Sequence, residues 1–166
     1  MAAVKSVLAQ KAQKQRSASS RGVPSVDERF TNFRVTLAKS KIHRWGVYAA
    51  EPIPANRKVI EYTGERISRR ETKRRAESNE FIYLFTLDDY WTIDGSVQGS
   101  GAEFINHSCE PNLASRIVRG HILYFSARPI RRGEELTVDY CFDKDVERVV
   151  CKCGSAKCRG TINLIE

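Results

Sequence analysis

The chain contains 166 residues, of which 41% are hydrophobic and 29% charged, a composition typical of one soluble globular domain with short extensions. No run of about 18 apolar residues occurs, so the sequence predicts a protein without a membrane-spanning helix. The formal net charge of +8 favours acidic or phosphate-bearing partners, and a surface that is merely solvated is the equal alternative.

Residues 1–30 are predicted to form a disordered basic tail. The first 25 residues contain no acidic side chain but five basic ones: Lys5, Lys11, Lys14, Arg16 and Arg21. Such a segment has too few apolar residues to fold alone. An organelle transit peptide has a similar composition and is the less favoured alternative.

Short β-branched and aromatic runs after residue 30 predict a mainly β domain with one or two small helices. A helix is predicted over residues 66–80, which are polar and rich in helix formers. The runs 81–87 and 90–95 predict a hairpin across Asp88-Asp89. The other predicted strands lie at 33–37, at 45–50, within 52–62, and at 122–130 and 135–142, with a turn at 131–133 joining the last two.

Three of the five cysteines, Cys151, Cys153 and Cys158, lie within eight residues near the C-terminus. This clustering predicts a metal site, because three cysteines so close together rarely serve packing. Zinc takes four ligands, so one must come from elsewhere. The candidates for it are Cys109, Cys141, His107 and His121. Reduced thiols in a flexible tail are the alternative, and disulfides are not expected because no secretory signal is visible.

The stretch INHSCEPN at residues 105–112 places an imidazole and a thiol two residues apart. A Cys/His pair of this kind is found in hydrolases, in metal sites and in ordinary turns. The hydrolase interpretation lacks an evident acid to orient the histidine. The stretch alone does not decide among the three.

Five motifs in chain order closely resemble those of the SET-domain protein lysine methyltransferases with a post-SET zinc tail. They are IHRWGVYA (42–49), EYTGE (61–65), FINHSCEPN (104–112), GEELTVDY (133–140) and the C-terminal cysteines. Their shared order and spacing make chance agreement remote. The resemblance is greatest to the trithorax-type branch, and no cysteine-rich pre-SET segment precedes the motifs. It implies a SET domain over 31–144 and a zinc-binding post-SET segment over 145–166.

The resemblance implies a fold of small β-sheets with a pseudoknot, in which the chain around Asn106-His107 passes beneath the segment that holds Tyr140. S-adenosylmethionine would enter on one face and the lysine on the other. The residues implied to contact the cofactor are His43, Arg44, Trp45, Tyr83, Asn106 and His107. Cys109 would be the fourth zinc ligand, which leaves Cys141 spare.

Methyl transfer from a sulfonium to an amine requires alignment rather than a covalent intermediate. The lysine must first lose a proton from an ammonium of pKa about 10.4, which an apolar channel beside a cation favours. The resemblance implies Tyr140 as the catalytic residue and Tyr62, Phe85 and Val138 as lining the substrate channel. Plain core packing is the alternative for these aromatic side chains, and it is the expectation for Trp91 and Tyr124.

Three positions depart from the pattern of the family. Val138 stands where Phe or Tyr is frequent, and its smaller side chain favours the addition of more than one methyl group. Glu103 stands where arginine is usual, and Ser100 where asparagine is usual. The reversed charge at Glu103 is expected to alter cofactor affinity or the docking of a partner.

The predicted activity is therefore methyl transfer from S-adenosylmethionine to a lysine of a basic protein, a histone being the first candidate, with zinc in a structural role. The alternative is a catalytically silent SET module that binds chromatin or a partner protein, and a Cys/His hydrolase is the third interpretation. The basic tail and the helix at 66–80 are expected to contact nucleosomal DNA through phosphates. Activating protein partners are compatible with the sequence, and membrane association is not expected. The location would be nuclear in a eukaryotic host and cytoplasmic otherwise.

Overall fold

The computed structural model describes residues 24–78 and 83–165, and within these ranges the chain is mainly β, as the sequence predicts. Helix α1 spans Arg69–Ser78, and short 3-10 turns occupy Glu28–Phe30 and Ala102–Phe104. The strands are β1 (Val35–Lys39), β2 (Trp45–Ala49), β3 (Lys58–Tyr62), β4 (Glu65–Ser68), β5 (Leu84–Thr86), β6 (Trp91–Asp94), β7 (Asn106–His107), β8 (Leu113–Val118), β9 (His121–Ser126) and β10 (Thr137–Val138). No helix in the described ranges is long and apolar enough to cross a membrane.

The strands form three small sheets. Strands β1 and β2 pair as an antiparallel ribbon, and β4, β6 and β5 form a three-stranded antiparallel sheet in that order. The third sheet has the order β3-β9-β8-β10-β7, and β10 runs parallel to both of its neighbours. Thr137 lies opposite Asn106, and Val138 lies opposite both His107 and Leu113. A late strand is therefore inserted beside an earlier one, which brings Tyr140 to the Asn106-His107 segment.

The predicted strand at 135–142 is wrong in its length. Only Thr137–Val138 is a strand, and it pairs with β7 and β8. The buried side chain of Asn112 forms hydrogen bonds with backbone groups next to β10. Its Nδ2 donates to the Glu135 carbonyl at 2.8 Å, and its Oδ1 accepts the Thr137 N–H at 2.9 Å. Strand β8 was not predicted, and most of its residues after Leu113 are exposed.

The helix begins at Arg69 rather than at residue 66. Glu65–Ser68 instead pair with β6 as strand β4, and Ser68 accepts the Glu71 N–H at the start of the helix at 3.3 Å. The hairpin of β5 and β6 is confirmed, with Leu84 opposite Asp94. Residues 79–82, which complete the predicted helix and begin the predicted strand, lie outside the described residues, as does most of the predicted tail.

The core is one apolar cluster, to which the five-stranded sheet and strand β2 contribute and against which Phe85 and Ile93 of the three-stranded sheet pack. Val47, Val59 and Leu136 are fully buried in it. The described end of the N-terminal segment contacts the same body, because Val26 packs against the cluster and the Asp27 N–H donates to the Ser100 carbonyl at 2.9 Å. The boundaries at residues 30/31 and 144/145 stay predictions.

Candidate active site and cysteine cluster

Asn106 joins the turn before β2 to the strand segment that precedes Tyr140. Its side chain is 5% exposed, and its Nδ2 donates at 2.8 Å both to the Trp45 carbonyl and to Glu135 Oε1. The His43 carbonyl lies 3.4 Å from the same nitrogen. A buried amide with these partners holds the backbone of residues 43–45 in one conformation.

Glu135 is a site residue that sequence reasoning missed. Its carboxylate also accepts from Ser40 Oγ at 2.7 Å and from the Tyr48 hydroxyl at 3.0 Å. Gly46 leaves the necessary space, because a Cβ there would lie 2.4 Å from Glu135 Oε1. The available signal is the second acidic residue of GEELTVDY, which is the first residue of the strand predicted at 135–142.

The predicted cofactor residues His43, Arg44 and Trp45 lie in this turn. His43 and Arg44 are exposed, and Arg44 has a positive φ of 38°. Trp45 is half-buried, and Lys39 Nζ lies 4.0 Å from its ring centroid. The turn therefore presents a polar rim above the buried amide of Asn106.

The His107 side chain faces the cysteines and the Tyr140 backbone. Its Nδ1 accepts the Tyr140 N–H at 3.2 Å, and its Nε2 lies 3.4 Å from Cys109 Sγ. Burial lowers the pKa of His107 to about 4, so the ring is neutral near pH 7 and its 3.5 Å approach to Asp139 is not an ion pair. Because Nδ1 is an acceptor, the proton of the neutral ring is assigned to Nε2.

The Tyr140 side chain, which the sequence predicts to be catalytic, lies beside β7. Its hydroxyl donates to the Ile105 carbonyl at 2.8 Å. Its ring meets His107 edge-on, with centroids 5.4 Å apart, and stacks on Phe142 at 5.8 Å. Burial raises the pKa of Tyr140 well above its usual value, so the phenol stays protonated at neutral pH.

The predicted channel residues Tyr62 and Phe85 form an aromatic cluster with Tyr124. The Tyr62 ring lies 5.4 Å from Phe85 and 6.4 Å from Tyr124, and Phe85 and Tyr124 are 6.3 Å apart. Val138 is 3% exposed and belongs to the same core. Tyr124 is buried as expected, but its contact with both predicted channel residues had no sequence signal.

Tyr83, another predicted cofactor residue, flanks this cluster. Its carbonyl accepts the Tyr62 hydroxyl proton, and its ring packs edge-on against Phe104 with centroids 5.7 Å apart. The expectation that Trp91 belongs to the core is wrong. Trp91 is 36% exposed, and the Arg66 guanidinium lies 4.5 Å from its ring centroid.

Four cysteine side chains converge at one point. The Sγ atoms of Cys109, Cys151, Cys153 and Cys158 all lie within 4.8 Å of one another. Cys109 Sγ and Cys151 Sγ are 3.7 Å apart. Zinc–thiolate bonds of about 2.3 Å in a tetrahedron place sulfurs about 3.8 Å apart, so the four thiols fit such an ion.

Backbone N–H groups point at these sulfurs, as expected around a metal centre. The Cys153 N–H donates to Cys151 Sγ, and the Gly160 N–H donates to Cys158 Sγ, both at 3.4 Å. Cys141 does not belong to the group, and His121 contacts Glu61 Oε1 at 2.6 Å instead. The geometry thus selects Cys109 among the candidates for the remote member of the cluster.

A family model described as the SET domain matches residues 44–141. The chain belongs to the SET domain family. The matched SET region contains every predicted site residue except His43 and the three C-terminal cysteines. The structure places these exceptions next to it, with His43 at the Asn106 turn and the cysteines around Cys109.

Curated histone-lysine N-methyltransferases are 41% identical to this chain over the aligned regions. A histone-lysine N-methyltransferase, H3 lysine-4 specific, of Candida albicans is 41% identical over 141 residues, which are 78% of this chain and 14% of the relative. Histone-lysine N-methyltransferase SETD1 of Drosophila melanogaster is 41% identical over 144 residues, 81% of this chain and 9% of the relative. Histone-lysine N-methyltransferase trithorax of Drosophila virilis is 41% identical over 137 residues, 78% of this chain and 4% of the relative. The chain therefore spans a small part of each relative.

Proposed function

We propose that this SET domain transfers methyl groups from S-adenosylmethionine to a lysine of a histone. The parallel pairing of β10 with β7 is the observation that carries the proposal, because it sets the Tyr140 ring against the Asn106-His107 segment. The names of the relatives point to lysine 4 of histone H3 as the first substrate to test. The geometry around that pairing supports the roles proposed below for the individual residues.

Three of the predicted cofactor residues, His43, Arg44 and Trp45, lie in the turn over Asn106. When bound, S-adenosylmethionine supplies a methyl group on a cationic sulfur. The residues that would hold it are His43, Arg44 and Trp45 of the turn, together with Tyr83, Asn106 and His107. Asn106 contributes by fixing the turn backbone, since its Nδ2 bonds to Trp45 and Glu135.

Tyr140 would orient the lysine amine. Its hydroxyl proton is directed to the Ile105 carbonyl, so the lone pairs of its oxygen remain available to accept an N–H of the amine. Tyr62, Phe85 and Tyr124 would exclude water and favour the neutral amine, while their faces hold a methylated ammonium by cation–π attraction. Asp139 is not the base, because its carboxylate is bound by Arg159 at 2.6 Å.

We assign the cysteine cluster to zinc. Four thiols with N–H donors to their sulfurs suit a closed, tetrahedral structural site better than a catalytic one, which keeps an open position. The segment around Cys151–Cys158 contains few apolar residues, so the ion would supply much of its folding energy.

Chromatin is the expected setting, and the location is nuclear if the host has a nucleus. Contact with nucleosomal DNA would use the exposed cations Arg70 and Lys73 of α1, together with the basic residues before residue 24. Arg75 is unsuited to that role, because it is bound by three carboxylates. Activating protein partners remain part of the proposal.

The decisive experiment measures transfer of labelled methyl from S-adenosylmethionine to the four core histones and to intact nucleosomes. We expect label in histone H3, and we expect Tyr140→Phe to reduce turnover by at least about a hundredfold while retaining cofactor binding. Mass spectrometry of the product gives the number of methyl groups, for which Val138 predicts more than one. Bound cofactor without turnover on any histone or nucleosome would contradict the proposal and favour a silent module.

A further inference from the structure

Arg159 links the cysteine cluster to the residue next to Tyr140. It directly follows Cys158, and its guanidinium donates two hydrogen bonds to Asp139, from Nη1 to Oδ2 at 2.6 Å and from Nη2 to Oδ1 at 3.0 Å. Nη2 also donates to the Ile162 carbonyl at 3.2 Å, within the C-terminal segment. The pair therefore spans two parts of the chain that are 20 residues apart in sequence.

The pair is largely shielded from water. The side chains of Arg159 and Asp139 are 18% and 22% exposed. Burial alone would raise the pKa of Asp139, but the bonds from Arg159 outweigh it and lower that pKa, so the carboxylate is charged at neutral pH. Two parallel bonds between planar charged groups fix orientation as well as distance.

The position requires arginine rather than any cation. Arg159 Nε is buried and has no hydrogen-bond partner among the described residues, which is a cost that a lysine would not incur. A lysine, however, cannot form the bidentate hydrogen bonds with Asp139 that arginine forms. The two bonds to Asp139 therefore favour arginine over lysine at this position.

Cys109 forms the other end of the same link. Its Sγ accepts the Arg159 N–H at 3.4 Å and lies 3.4 Å from His107 Nε2. His107 Nδ1 in turn accepts the Tyr140 N–H at 3.2 Å. Two chains of contacts thus connect Cys109 to the backbone of Tyr140. One passes through His107, and the other passes through Arg159 and Asp139.

We propose that Arg159 is a positioning residue for Tyr140, which it holds in place through Asp139 and thereby couples to the cysteine cluster. The role rests on the proposed methyltransferase function, in which the hydroxyl of Tyr140 orients the amine. In this role Arg159 acts through Asp139 and not on the substrate or the cofactor. Its effect is on alignment, and a displacement of about 1 Å at a reacting group can cost about a hundredfold in rate.

The test compares Arg159→Gln and Arg159→Lys with the matched control Lys157→Gln. Lys157 lies in the same segment and pairs with Glu110 at 3.4 Å, but its side chain is 82% exposed. We expect Arg159→Gln to lower kcat by about tenfold or more, with the KM for a histone H3 peptide changed by less than about threefold. Arg159→Lys should retain only part of the wild-type kcat, and Lys157→Gln should have the same kcat and KM as the wild type.

Three further measurements separate positioning from folding. Zinc per chain and calorimetric cofactor affinity should be unchanged in Arg159→Gln, while hydrogen exchange of the peptide covering residues 137–142 should accelerate. If Arg159→Gln loses zinc, the isosteric variant Asp139→Asn is measured in its place. We expect that variant to keep its zinc and to show the same loss of kcat. Unchanged kcat and unchanged exchange in these variants would overturn the proposal. If the wild type shows no turnover but exchange still accelerates in Arg159→Gln, the proposed function alone is contradicted.

Discussion

At the scale of single residues, the departures from the family pattern have local explanations. Glu103 bonds within its own loop, where its Oε2 accepts the Gly101 N–H at 2.8 Å. Gly99 provides room, because a Cβ there would lie 2.5 Å from Glu103 Oε1. Ser100 is fully buried and donates to the Glu61 carbonyl. The expected effect of Glu103 on cofactor or partner binding therefore stays a prediction, while its role in the loop is visible.

Glu103 should make stability depend on pH. Burial raises the pKa of its carboxyl from 4.5 to about 7, so the folded chain binds a proton more tightly than the unfolded chain. Its contribution is fully present below pH 4.5 and is lost as pH rises through about 7. We expect Glu103→Gln to be more stable than the wild type above pH 7 by at most roughly 3 kcal/mol. Thermal unfolding of both proteins between about pH 5 and 8 checks this, and a constant difference across that range would contradict it.

At the scale of elements, α1 is held by a charged group rather than by an apolar face. The only buried α1 side chain among its described residues is Thr72. Arg75 contacts Glu65 and Glu71 at 2.8 Å and Asp94 at 2.6 Å. Asp94 is 2% exposed, so one helix cation neutralises a buried carboxylate on β6. This contact fixes α1 on the three-stranded sheet.

Replacing Arg75 should therefore cost far more than replacing its neighbour. Arg75→Met leaves Asp94 buried without its cation, and we expect the free energy of unfolding to fall by about 3 kcal/mol. Arg74 pairs with Glu71 at 2.6 Å but is 69% exposed, so Arg74→Met should cost less than about 1 kcal/mol. Urea denaturation of the two variants measures the difference, and equal losses would show that Arg75 acts only as a surface charge.

At the scale of the whole molecule, the C-terminal segment is joined to the SET domain through Cys109. This cysteine follows β7 by two residues, whereas the other three members of the cluster lie more than 40 positions later. A metal at the cluster would cross-link the two regions. Cys141 does not belong to the group of converging sulfurs.

Cys109 and Cys141 should differ sharply in their importance for metal binding. We expect about one zinc per purified chain, its loss in Cys109→Ser and its retention in Cys141→Ser. Metal analysis of the three proteins checks this directly. Treatment with a chelator should also lower the melting temperature of the wild type and of Cys141→Ser by similar amounts. Zinc lost from Cys141→Ser and kept by Cys109→Ser would contradict the assignment.

The sequence by itself determined the mainly β class, the family and the thiols available for a metal, because each is encoded in short motifs of neighbouring residues. Only the tertiary structure decided that β10 lies beside β7, that Glu135 bonds to Ser40 across 95 positions and that Tyr124 joins Tyr62 and Phe85. It also brought Arg159 to Asp139. The physical reason is that residue type and spacing report local conformation, whereas a contact between distant segments depends on how their buried polar and aromatic groups are satisfied together.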